Sequence, residues 1–173
     1  MDNLRLEPRY EPEQIAARVR EIAADLDRDF SANPPALVSV LKGSSFLLAD
    51  LARKMTVPLA CEFIAVSRQE GSDTILQIDF ATGFPIANRP VVLLKDVVHS
   101  GVLESYLMTQ IAAAGASIVR LVSIVDKAPE RTTDLKVDYT LFSADRGRFV
   151  GYGMDQGGRY AHLPYIAEVY AET

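Results

Sequence analysis

The stretch Val91–Leu103, VVLLKDVVHSGVL, constrains this chain more than any other. Four aliphatic residues lead into a charged pair, a second aliphatic pair and a His-Ser-Gly turn. Helical spacing then begins near Leu103, in LESYLMTQIAAAGA. The pattern predicts a buried strand that delivers polar side chains to its carboxyl end, a tight loop, and a helix behind it. Successive turn amides and a helix N-terminus both favour anions, so this unit is a natural cradle for phosphate.

The remainder of the chain supplies more units of the same kind. Ile15, Val19, Ile22 and Leu26 recur at steps of three and four, predicting an amphipathic helix over Glu13–Phe30 whose outer face, with Arg18, Arg20, Glu21, Asp25 and Arg28, is a solvated surface. Pro34 and Pro35 end that region. A short apolar strand, Ala36–Leu41, runs through the turn Lys42-Gly43-Ser44 into a helix, SFLLADLARKM. Val57–Ser67 has the near-continuous apolar character of a strand covered on both faces, and Cys61 within it reads as a small core residue. Arg68–Asp73 is a polar loop, and Thr74–Phe80 a strand at an edge or running antiparallel. Gly115 is placed to cap the helix that follows the opening stretch. Ser117–Val125, Val137–Phe142 and Phe149–Tyr152 are further strands, with a Pro-containing tail from Leu163.

Strands alternating with helices imply βαβ units and a largely parallel sheet. In such sheets ligands bind at the carboxyl ends of the strands. Those ends are Lys42-Gly43, Ser67, Asp96–Gly101 and Asp126-Lys127, and they mark out one polar rim.

Composition narrows the function classes. At 173 residues the chain fits one domain, 1–173, with the helix region 1–35 packed on its core. The net charge of −5 with no block of basic residues argues against nucleic acid as a partner. No apolar stretch approaches the roughly 18 residues of a membrane span. The charged N-terminus is unlike a secretory signal. A single cysteine excludes an internal disulfide and fits a reducing cytoplasmic setting.

With these blocks in hand, the chain resembles the 6-oxopurine phosphoribosyltransferases, the hypoxanthine/guanine salvage enzymes of the type I fold. VLKGSSFLLADL is similar to the family's first pyrophosphate loop and its helix, and VSIVDKAPER to its purine-specifying segment. FVGYGMDQGGRYAHLPYIAEV is similar to its C-terminal signature, and the opening stretch occupies the place of the phosphoribosyl-pyrophosphate motif. The resemblance runs from about Leu37 to Val169. It implies an α/β fold, type I phosphoribosyltransferase-like, with a mainly parallel sheet flanked by helices and a small cap, or hood, built from the terminal segments.

The implied activity joins a 6-oxopurine to phosphoribosyl pyrophosphate, giving a nucleoside monophosphate such as IMP or GMP and pyrophosphate, with Mg²⁺ as cofactor. A cytoplasmic homo-oligomer, dimer or tetramer, is implied as well. Carried over by position, Lys42 and Gly43 match the pyrophosphate loop. Ser100, Gly101, Val102 and Leu103 match the 5′-phosphate loop, although a hydroxyl residue is common where Leu103 stands. Val97, Lys127, Arg148, Phe149 and Met154 match the purine surroundings, Lys127 as the donor to the exocyclic oxygen. Asp155 matches a metal-binding carboxylate. Asp96 and His99 match the catalytic positions, His99 standing in place of the aspartate assigned as general base.

Several positions depart from the family pattern. Lys95 replaces the first of two adjacent acids, Arg148 a stacking aromatic, and Ala161 an arginine on pyrophosphate. Ser67-Arg68 begins a lid where Ser-Tyr is usual, and the lid segment before Thr74 is short. An imidazole titrates near neutrality and can accept a proton, so His99 is either a substitute base or an exposed loop residue without a catalytic role. Three readings therefore stay open: a weakly active purine transferase, a non-catalytic purine-nucleotide-binding regulator, and a transferase acting on another nitrogen acceptor.

Overall fold

In the computed structural model of the chain, residues 4–68, 76–80 and 86–171 are described. In chain order the elements are β1 (Leu4–Tyr10), α1 (Pro12–Asp29), β2 (Ala36–Val40), α2 (Ser45–Ala52), β3 (Ala60–Arg68), β4 (Leu76–Phe80) and β5 (Pro90–Val98). They continue with α3 (Val102–Ala113), β6 (Ile118–Asp126), β7 (Tyr139–Ser143), β8 (Phe149–Val150) and β9 (Ile166–Ala171), a single 3-10 turn at Ala128–Glu130 following β6. No helix among the described residues is long and apolar enough to cross a membrane.

Six strands form one sheet in the order β4-β3-β2-β5-β6-β7. Five of them run parallel, and β4 pairs antiparallel with β3 at the edge. The opening stretch is thus central, with β2 on one side and β6 on the other. Val91 to Leu94 are fully buried because both faces of β5 are covered. Leu93 packs on one face with Leu107 and Ile111 of α3. Val92 and Leu94 pack on the other with Ile15, Val19 and Leu26 of α1 and Leu47 and Leu51 of α2. Burial of these aliphatic side chains, each worth about 1.5–3 kcal/mol, holds the layers together.

Helix α1 starts where its sequence directs. Pro12 occupies the first turn, and the Glu11 amide donates to Gln14 Oε1 at 2.8 Å, satisfying a donor the helix cannot. Its outer face is not only solvated surface. Arg18 Nε and Nη2 donate to the Leu141 and Thr140 carbonyls of β7 at 3.0 and 2.9 Å, tying α1 to the far edge of the sheet.

The sequence reading names no strand in the charged start or the Pro-containing tail from Leu163, but the small cap expected from the terminal segments is present. β1 and β9 pair antiparallel, and β8 joins β9, making a three-stranded cap from the two ends of the chain. Leu4 and Leu6 pack there against Val150, Ala167 and Val169. Tyr10 stacks on Phe142 with ring centroids 3.8 Å apart, which joins cap to sheet.

Cys61 is a correction. It is exposed, because only β4 lies beyond β3 and the start of β3 is incompletely covered. Partial burial and the neighbouring Glu62 carboxylate raise its thiol pKa, which disfavours the reactive thiolate.

Candidate functional site

Because β2, β5 and β6 are parallel, their carboxyl ends converge on one rim, and the loops leaving them build the site. The first loop follows β2. Its Leu41-Lys42 peptide is cis, Lys42 is exposed and Gly43 is buried. Ser44 fastens the loop from below: its hydroxyl donates between the Val40 and Leu94 carbonyls, each at 2.9 Å, and lies 2.8 Å from Ser39 Oγ. A side chain at Gly43 has no room, since a Cβ there would lie 2.0 Å from Asp96 Oδ2.

The second loop leaves β5. Gly101 sits in the left-handed region at φ 80° and begins α3, and a Cβ would meet Thr133 Oγ1 at 2.5 Å. The Ser100 carbonyl is held from behind, accepting from the Thr132 amide at 3.0 Å and from the Thr132 and Thr133 hydroxyls at 3.3 Å each. A planar trans peptide then points the Gly101 N–H the opposite way, away from Thr132. With the first-turn amides of α3, of which that of Val102 donates to Ser100 Oγ at 3.5 Å, this gives an anion-binding arrangement built mainly from backbone. Val102 is exposed and Leu103 half-buried, so neither adds a polar side chain. His99 is exposed, and its carbonyl accepts from Arg131 Nη1 at 2.8 Å, while Arg131 also pairs with Asp126. Arg131, Thr132 and Thr133 are thus structural supports of the loop that sequence reasoning missed, although Arg131 closes the recognised VSIVDKAPER block and the two threonines directly follow it.

A cavity of about 390 Å³ opens between the ends of β5 and β6 and the cap. Val97, His99, Lys127, Arg148, Phe149 and Asp155 line it, together with Gly147 and Gln156. The structure therefore gathers most of the purine-matching positions around one space. Lys127 is 7% exposed and its ammonium pairs with Glu130 at 2.8 Å. Met154 is elsewhere: at 2% exposure it packs in the core beside Tyr152 rather than on the cavity wall. Ala161 contributes its carbonyl, which accepts from the Gly153 amide at 3.0 Å. Ser67 and Arg68, where the lid is expected to begin, end β3, and the residues that follow them, 69–75, lie outside the described residues.

The C-terminal signature is anchored to the first loop. Buried Tyr152 donates to Asp50 Oδ2 of α2 at 2.7 Å and packs edge-on against Phe46. Its phenol pKa is pushed well up by burial and then by the Asp50 carboxylate. Gly153 comes so close that a Cβ would lie 2.4 Å from the Gly43 carbonyl oxygen.

The carboxylates of the rim are few. Asp96 Oδ1 accepts from the Val97 amide at 2.8 Å and from the Lys95 ammonium. Asp155 is exposed and accepts from the Gly158 amide at 3.2 Å. No three His, Cys, Asp or Glu side chains converge among the described residues. Mg²⁺ is commonly held by one or two carboxylates together with substrate phosphates and water, and exposed Asp155 at the cavity is the carboxylate that fits that part.

The architecture and site have close parallels. The chain is 30% identical over 160 residues to the hypoxanthine-guanine phosphoribosyltransferase of Streptococcus mutans, covering 91% of this chain and 89% of that protein. It is 30% identical over 158 residues to the Bacillus subtilis protein of the same name, covering 89% and 87%. The crystal structure of a Bacillus anthracis hypoxanthine-guanine phosphoribosyltransferase superposes with a TM-score of 0.88 at 27% identity, covering 97% of this chain and all of that one. The family model of the phosphoribosyl transferase domain matches residues 9–156, from the end of β1 through both loops to Asp155 and Gln156 at the cavity. With both loops and the parallel sheet inside the matched residues, this chain belongs to the phosphoribosyl transferase domain family.

Proposed function

We propose that the chain transfers ribose 5-phosphate from phosphoribosyl pyrophosphate to hypoxanthine or guanine. The observation that carries this reading is the placement of Lys127. Lys127 lines a cavity together with Val97 and Phe149, at the end of the strand beside the anion-binding loop, and its ammonium is paired with Glu130. Such a donor favours a carbonyl acceptor on the base and disfavours an amino group, which matches a 6-oxopurine. In the proposed reaction the C1′–oxygen bond to pyrophosphate breaks, the C1′–nitrogen bond to the purine forms, and the purine N–H proton departs. In this reading His99, which lines the cavity, takes that proton. The backbone amides at Gly101–Leu103 hold the 5′-phosphate, and Gly43 with Lys42 holds pyrophosphate. A homo-oligomer belongs to the same reading and is tested by light scattering.

A second reading is favoured by one observation, the ion pair between Lys95 and Asp96. A carboxylate neutralised in this way is poorly suited to the ribose hydroxyls, and the chain then binds purine nucleotide without turning over. A spectrophotometric transferase assay with hypoxanthine and guanine, beside calorimetry with GMP and IMP, separates the two. Product formation supports the transferase, binding without product the regulator, and neither removes both.

A further inference from the structure

We infer that the Lys95 ammonium is the built-in cation of this site, taking for the diphosphate of the ligand the part that a divalent ion otherwise plays. The inference rests on the proposed ligand class, phosphoribosyl pyrophosphate, and goes beyond it.

Lys95 lies near the end of β5, with its side chain 15% exposed, and its ammonium bonds the Asp96 carboxylate. One of its three N–H donors is used there, and among the described residues no other acceptor takes the remaining two. The pair as a whole is neutral. Asp96 Oδ1 has accepted two donors, from Lys95 and from the Val97 amide, so it is the less available to a metal ion. Asp96 Oδ2 faces Gly43, in the loop assigned to pyrophosphate. The carboxylate therefore holds the ammonium beside that loop, and two N–H groups are left for anionic oxygens.

Charge arithmetic points the same way. A carboxylate at position 95 in place of the ammonium would make the pair more negative by two units, the charge of one divalent ion. The cation that a diacidic pair must recruit from solution is here part of the chain. Ligand binding then depends little on added metal, and Lys95→Glu makes it depend strongly.

The test is calorimetry with phosphoribosyl pyrophosphate and, separately, with GMP, each in EDTA and in millimolar Mg²⁺. It uses wild type, Lys95→Glu and Lys95→Met, with melting curves to establish that each variant is folded. Wild-type affinity for phosphoribosyl pyrophosphate should change by less than about threefold between the two conditions. Lys95→Glu should lose about tenfold or more in EDTA and recover with Mg²⁺, and Lys95→Met should bind more weakly than wild type in EDTA. Wild type that binds phosphoribosyl pyrophosphate only with Mg²⁺ overturns the inference, and so does Lys95→Glu binding as tightly as wild type in EDTA. In both cases GMP binding by the wild type leaves the transferase reading intact. Absence of binding by both ligands in both conditions removes that reading and this inference together.

Discussion

The α-carbon of Gly43 lies directly against the Asp96 carboxylate, so close that a methyl group there would stand 2.0 Å from Oδ2. The relationship joins the loop after β2 to the end of β5, two strands that are neighbours in the sheet. The glycine is needed for space, and not for a left-handed backbone. Gly43→Ala must displace either the loop or the carboxylate. Overpacking of this kind costs about 1–3 kcal/mol, read as a lowered Tm, with weaker binding of phosphoribosyl pyrophosphate. Asp96→Ala in the same chain removes the two nearest of the three clashing atoms, leaving only the Cβ at 2.8 Å, and should return part of the lost Tm. A double variant no more stable than Gly43→Ala alone would show that the contact is not the cause.

The C-terminal signature is held to α2 by the hydrogen bond from Tyr152 to Asp50. Tyr152→Phe should lower stability by about 1.5–3 kcal/mol at neutral pH, the worth of a hydrogen bond to a charged group. The phenol pKa is raised in the folded state by burial and by the carboxylate. Stability from this source is therefore complete below the unfolded tyrosine value, about 10. It is lost as pH rises through the higher folded value. Denaturation at increasing alkaline pH should thus show the difference between wild type and Tyr152→Phe shrinking above that point.

Asp27 gives the opposite sign. It accepts from the Thr56 amide, the Thr56 hydroxyl and the Val57 amide, fixing the turn between α2 and β3. Desolvation raises its pKa, but the Val57 and Thr56 bonds together outweigh that and the net shift is downward. Its contribution is present above the unfolded aspartate value and fades as pH falls through the lower folded one. Asp27 is half-buried and still in contact with solvent, so Asp27→Asn should cost no more than about 1 kcal/mol at pH 7 after solvent screening. Urea titrations should find that cost vanishing at low pH.

The sheet was legible because its strands are local apolar runs and its loops carry Gly, Ser and Pro between them. The β5–α3 unit could be read from consecutive residues alone. β1 and β9 could not, although Leu4 and Leu6 alternate with Arg5 and Glu7, because each finds its partner at the other end of the chain. Arg18 illustrates the same limit: periodicity puts it on the outer face of α1, and only the fold brings β7 carbonyls to it. The site residues were reached mainly through a resemblance in blocks, and the fold places Val97, His99, Lys127, Arg148, Phe149 and Asp155 around one cavity. The supports of that site were hidden, since Arg131 against His99 and Gly153 against Gly43 are contacts between loops.

Lys127 is the clearest test of ligand class. Lys127→Met keeps the stem that packs in the cavity wall and removes the ammonium. GMP and IMP should then bind about 10–100-fold more weakly, as expected for loss of a hydrogen bond from a charged donor. Selectivity against AMP should fall at the same time, because the discriminating donor is gone. Calorimetry with the three nucleotides reads both effects, and unchanged GMP affinity would place the purine elsewhere.

The chemistry turns on positions 95 and 99. The Lys95–Asp96 pair leaves no unpaired acid at the end of β5, and His99 cannot stabilise positive charge developing on the purine as a carboxylate does. Wild-type turnover of hypoxanthine or guanine should therefore lie well below the median enzyme rate of about 10 s⁻¹. Lys95→Glu with His99→Asp restores two carboxylates beside the phosphate loop and should raise turnover in the presence of Mg²⁺. His99→Asp alone should help less, because the Lys95 ammonium remains paired with Asp96 and no second acid faces the ribose. Initial rates over both purines, measured for wild type and the two variants, decide the matter. A wild-type rate at the median would mean that a lysine and a histidine serve this reaction as well as two acids do.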